Sequence, residues 1–110
     1  MDKIPLKKIK EMFTHMKAQG MKTETTMLWG YFFVANKPSH FDKAKAELTN
    51  LKFEFVEIFQ TEDKSYYMHF ERKEIHSAKS LFELDEQLYN IADKYKIIYD
   101  GFDVGNVTKE

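Results

Sequence analysis

Four histidines, no cysteine and eighteen acidic residues bound the chemistry open to this 110-residue chain. His15, His40, His69 and His76 lack metal-ligand spacing, since none sits one helical turn from another with a glutamate between them. Without cysteine there is no thiolate ligand, no disulfide framework and no cysteine nucleophile. Gly20, Gly30, Gly101 and Gly105 are scattered, so no glycine-rich loop cradles a phosphate. No Gly-x-Ser-x-Gly elbow occurs. Asp100, Gly101 and Asp103 echo part of a calcium loop, but the spacing fails that pattern and they read as turn residues. The pairs Glu83/Glu86 and Asp85/Glu86 read as solvated charge on an exposed helix face. No catalytic set, metal or cofactor is expected, and the chemistry that remains is that of binding.

Two residue classes could carry binding. Ten Phe, six Tyr and one Trp are present, and most of these belong in a core. Trp29, Tyr31, Tyr67 and Phe102 fall on strand-like runs and are the candidate interface anchors, because amphipathic rings are favoured at contacts. Glu54, Glu57, Glu62, Glu71 and Glu74 crowd one hairpin. With Asp100 and Asp103, the residues Glu54 and Glu57 complete the candidate partner-binding set. An acidic rim around aromatic rings suits a basic protein and speeds encounter with it. An RNA-binding module is the alternative, since Phe33-Val34-Ala35-Asn36 and Lys64-Ser65-Tyr66-Tyr67-Met68 loosely echo base-stacking strand motifs. The hairpin carboxylates would repel phosphate.

The hairpin that positions these groups covers residues 52–74. Runs 52–61 and 65–74 are rich in aromatic and β-branched residues and flank the link Glu62-Asp63-Lys64. Period-two spacing puts Phe53, Phe55, Glu57 and Phe59 on one face, with Tyr66, Met68 and Phe70 matching them. Residues 27–36 (MLWGYFFVAN) are nearly all apolar, as in a central strand buried on both faces, or covered on one and touched on the other. Gly30 in its middle predicts a bulge or a close backbone approach.

Helices separate the strands. Leu6, Ile9, Phe13 and Met16 predict an amphipathic helix over 4–19, with Pro5 in its first turn and Gly20 as its stop. Phe41, Ala44, Leu48 and Leu51 predict a second over 40–51, capped by Ser39. Leu81, Leu84, Leu88, Ile91 and Tyr95 predict a third, opened by a capping box at Ser80 and Glu83. Residues 97–107 read as a short strand or strand pair, with turns at Asp100-Gly101 and Gly105-Asn106.

The order is a helix followed by β-α-β-β-α-β. It predicts an α+β, ferredoxin-like sandwich: a four-stranded antiparallel sheet with both helices on one face, plus an extra N-terminal helix. Residues 1–24 form the helix and connector, and 25–110 the domain proper. The length suits a single core. Net charge is −1, yet residues 1–22 hold six lysines against two acids, so a basic leading segment precedes an acidic body. The chain begins with no signal peptide and holds no apolar run long enough to span a membrane, which predicts a cytoplasmic location. Oligomeric state is left open.

Residues Tyr99-Asp100-Gly101-Phe102-Asp103-Val104-Gly105 resemble the Tyr-Asp-Gly-Trp box that closes the ribonuclease E regulator B (RraB) family, with Phe102 in place of the tryptophan. The helix residues Leu84, Leu88, Ile91 and Ala92 are similar to that family as well, and so are Phe41-Asp42-Lys43-Ala44 and Leu51-Lys52-Phe53-Glu54-Phe55. The resemblance covers about residues 26–107. It implies a non-enzymatic regulator in a bacterial cell, whose protein partner is a ribonuclease or its scaffold. The same domain could equally serve as an immunity protein that neutralises a toxin nuclease or another basic protein.

Overall fold

A computed structural model describes residues 3–105. Their order is α1 (Leu6–Ala18), β1 (Met27–Ala35), a 3-10 turn (Pro38–Phe41), α2 (Asp42–Asn50), β2 (Glu54–Gln60), β3 (Tyr66–Glu74), α3 (Ala78–Tyr95) and β4 (Ile98–Gly105). The strands form one sheet in the order β2-β3-β1-β4, and every neighbouring pair is antiparallel. This is the expected α+β, ferredoxin-like arrangement with an added N-terminal helix. Among the described residues no helix is long and apolar enough to cross a membrane.

Strand alternation divides the sheet into two unlike faces. On β1 the odd-numbered residues Met27, Trp29, Tyr31, Phe33 and Ala35 are buried, while Leu28, Phe32 and Val34 are half-buried. The strand is therefore covered on one face and only touched on the other. Met68 and Phe70 of β3 join the covered face opposite Phe33 and Tyr31. Leu48 of α2, with Leu81 and Leu88 of α3, closes the core over it.

The first helix covers the same side. Ile9, Phe13 and Met16 recur at helical spacing and are buried. Phe13 stacks on Trp29 with ring centroids 6.1 Å apart, and the Ile4 N–H donates to Tyr89 Oη at 3.1 Å. Residues 3–18 thus share the core of the body, and the far face of the sheet stays uncovered.

All three helices end alike. At α1 the Met21 N–H reaches Met16 O and the Gly20 N–H reaches Lys17 O, with Gly20 at φ +88°. Lys52 and Lys96 take the same left-handed position after α2 and α3, at φ 76° and 61°. There Phe53 N–H reaches Leu48 O and Ile97 N–H reaches Ala92 O, each satisfying a carbonyl of the last turn.

Several expectations are corrected. The box that opens α3 is Ser77 with Ser80, so the helix starts before the expected Ser80/Glu83 pair. No side-chain cap from Ser39 opens α2; the 3-10 turn enters it directly. The ladder between β2 and β3 shifts register between Phe55 and Glu57, where Val56 is an extra residue. Phe55 faces Phe70 on the covered side, but Glu57 faces His69 and Phe59 faces Tyr67 on the open side. The single phase expected from Phe53 to Phe59 is broken there. Asp100-Gly101 is also no turn: β4 runs through it, and Asp100 is the extra residue of a bulge opposite Phe32 and Phe33. The turn expected at Gly105-Asn106, and Val107 beyond it, reach outside the described residues.

Candidate partner-binding face

The open face is built from the non-core residues of all four strands. β1 supplies Leu28, Phe32 and Val34, and β3 supplies Tyr67, His69, Glu71 and Lys73. Glu54, Glu57 and Phe59 come from β2; Ile98 and Asp103 come from β4. Asp100, bulged outward beside Tyr67, raises the phenol pKa by its negative charge.

Two aromatic stacks give the face its apolar centre. Phe32 lies over His69 at 4.3 Å and 14°, and Phe59 over Tyr67 at 5.5 Å and 9°. Val34 is half-buried beside them, and Ile98 is exposed at the β4 edge. Gly30 opens a notch among them. A Cβ there would lie 2.5 Å from Asp103 Oδ1 and 2.9 Å from His69 Nε2, so both side chains lean over the bare backbone. The close approach anticipated at Gly30 is thus made by side chains. The notch is a depression of about 240 Å³ lined by Leu28, His69, Glu71, Asp103, Val104 and Gly105.

The electrostatics of this face are one-sided. Glu54 stands directly opposite Glu71, a like-charge pair that costs a sheet stability. The ion pairs among the described residues are Lys3–Glu86, Lys17–Glu24, Arg72–Glu74, His76–Glu74 and Lys94–Glu47. Glu54, Glu57, Glu71, Asp100 and Asp103 take part in none of them. Lys73 is the cation that shares their face.

The structure thus gathers Glu54, Glu57, Tyr67, Asp100 and Asp103 from the expected set. Trp29 and Tyr31 do not belong with them. Both are fully buried under the helices, because their strand phase points to the covered side. Tyr31 Oη donates to Glu74 Oε2 at 2.6 Å, and His76 Nε2 lies 2.9 Å from the same oxygen. Arg72 Nε donates to Glu74 Oε1 at 2.7 Å. Burial opposes the Glu74 charge, yet these partners outweigh it and hold its pKa at about 2. Phe102 is half-buried and meets Trp29 edge-on at 6.0 Å, so it closes the rim of the core. His69 and Glu71 were absent from the expected set. The signal for both was available, because period two from Tyr67 places them on its face.

This geometry can attract cations by its charge and pack planar groups against its rings. Among the described residues no three acidic or histidine side chains cluster as a metal site would require. The family model described as Regulator of ribonuclease activity B matches residues 7–104, and so takes in α1 as well as the body. No curated protein matches the chain.

Proposed function

Because the chain belongs to the family of regulators of ribonuclease activity B, we propose that it regulates a ribonuclease by binding it, or its scaffold, through the open face of the sheet. The observation that carries this reading is the set of five carboxylates, in no ion pair among the described residues and arranged around two aromatic stacks on the open face. Their charge favours a basic partner surface, and the rings supply apolar contact area at its centre. A fold does not keep Glu54 opposite Glu71 for its own stability, and a bound cation would relieve the repulsion. Catalysis by this chain forms no part of the reading. Phosphate is disfavoured on the same face by charge, which argues against RNA as the direct ligand.

The test is calorimetric titration of the purified ribonuclease from the same organism with wild-type chain and with the Glu54→Lys/Glu71→Lys double variant. The wild type should bind, weaken as salt rises, and change the rate of RNA cleavage. The double variant should bind about tenfold or more weakly, with its melting temperature little changed, because two facing lysines repel as two facing glutamates do. Equal binding by both would remove the open face from the mechanism. No binding by either would sink the regulator reading.

A further inference from the structure

The basic leading segment has no part in the open face. Residues 1–22 hold six lysines against two acids. Lys7, Lys8 and Lys10 crowd the start of α1 as exposed side chains on the helix side of the sheet. Glu54, Glu57, Glu71 and Asp103, which would repel phosphate, stand on the other side. We propose that the outer surface of α1 binds the phosphate backbone of RNA through Lys7, Lys8 and Lys10. Naming RNA as the source of that backbone rests on the proposed function, which brings the chain to a ribonuclease.

The placement of these lysines costs the helix stability. Lys7 and Lys8 stand in the first turn of α1, where the helix dipole is positive and disfavours cations. That turn holds no acidic residue, and Pro5 before it supplies no side-chain cap. Lys7 and Lys10, one turn apart, repel each other as well. None of the three takes part in the ion pairs among the described residues. Even Glu11, one turn beyond Lys7 and Lys8, pairs with neither of them. A helix shaped by its own stability would carry acids there. A polyanion laid along this surface offsets both repulsions. Lys17 continues the track seven residues beyond Lys10, held only by an exposed pair with Glu24 at 3.8 Å.

The character of the surface selects among anionic partners. A membrane requires an apolar face to enter the lipid, and that face of α1, Ile9, Phe13 and Met16, is buried in the core. A protein interface centres on apolar or aromatic anchors and is poor in lysine. Phe13 is the sole Phe, Tyr or Trp of α1, and it lies under the helix. A phosphate backbone needs only the cations. Without an exposed ring of that kind the bases have no platform, so the site holds RNA without reading its sequence. The sheet separates this surface from the open face, and one copy can hold enzyme and RNA on opposite sides.

Fluorescein-labelled oligouridylate titrated with the full chain at low salt, read by anisotropy, tests the site. Binding should saturate, and log affinity should fall against log salt with a slope of about −2, since three lysines each release about 0.7 counterion from a single strand. The Lys7→Glu/Lys8→Glu variant should bind about tenfold or more weakly while its melting temperature holds or rises, because acids then meet the helix dipole. Loss of binding is thereby separated from loss of folding. No saturable binding by the wild type, or equal binding by the variant, would overturn the site. Oligoglutamate that displaces the RNA at equal charge would make an acidic protein the ligand and overturn it too. Ultraviolet cross-linking in cells should join RNA to the wild type and not to the variant; cross-links to DNA alone would refute RNA as the source. No ribonuclease enters the titration, so its failure leaves the open-face reading standing, and failure of that reading leaves the titration unchanged.

Discussion

Glu54 and Glu71 face each other directly across β2 and β3 on the uncovered side of the sheet. Like charges so placed repel, and neither residue takes part in the ion pairs among the described residues. Glu71→Gln should therefore raise unfolding free energy by about 0.2–1 kcal/mol. Urea denaturation at low and high salt checks this, and the gain should shrink as salt screens the pair. An equal or larger loss of stability would show that Glu71 is compensated.

Asp85 behaves oppositely to Glu74. Its side chain is buried, and Tyr99 Oη donates to its Oδ1 at 2.7 Å while Oδ2 has no partner among the described residues. Burial raises its pKa to about 6, although the Tyr99 hydrogen bond pulls the other way. The folded state thus binds a proton more tightly than the unfolded chain does. Stability is greatest when Asp85 is neutral and falls as pH rises from about 4 to about 6, by roughly 2–3 kcal/mol. Below about 4.5 the loss of the Glu74 charge works against this gain, since Glu74 contributes only while ionised. Asp85→Asn should raise stability at pH 7 and flatten the profile between pH 4 and 6. A pH series of thermal melts on both proteins decides it.

Phe102 separates core from contact. Its ring packs on Trp29 at the rim of the helix-covered side. Phe102→Ala should cost about 1–3 kcal/mol, less than a fully buried phenylalanine would. Affinity for the partner, measured below the lowered melting temperature, should stay the same. Unchanged melting with lost binding would move Phe102 into the interface.

Lys96 ends α3 with φ 61°, a conformation that side chains resist and glycine accepts freely. Lys96→Gly should keep the hydrogen bond from Ile97 N–H to Ala92 O and stabilise the fold by about 0.5–1 kcal/mol. Chemical denaturation measures it, and destabilisation would mean that the lysine makes a compensating contact.

The sequence was informative wherever one pattern dominated. Ile9, Phe13 and Met16 mark α1, and Leu81, Leu84 and Leu88 mark α3, because helical spacing survives substitution of single residues. The strand order followed from where those helices fall. The faces were harder to read. β1 is apolar at nearly every position, so alternation could not say that Trp29 and Tyr31 point inward. Val56 and Asp100 each add one residue to a strand, and nothing in their side chains announces it. Ser80 does belong to a capping box, but as its N3 residue and not its first. Lys52 and Lys96 hid two helix ends, because the usual signal there is glycine.

β2 lies at the margin of the sheet, with Phe55, Val56 and Phe59 exposed along it. A flat margin of that composition is a template on which identical chains can zip into fibres. The extra residue at Val56 kinks the ladder midway, so no straight seven-residue template is offered. Glu54 and Glu57 add repulsion between copies. One inserted residue therefore turns Phe59 toward the face read as the partner's and, by the same bend, denies a second copy a straight edge on which to pair.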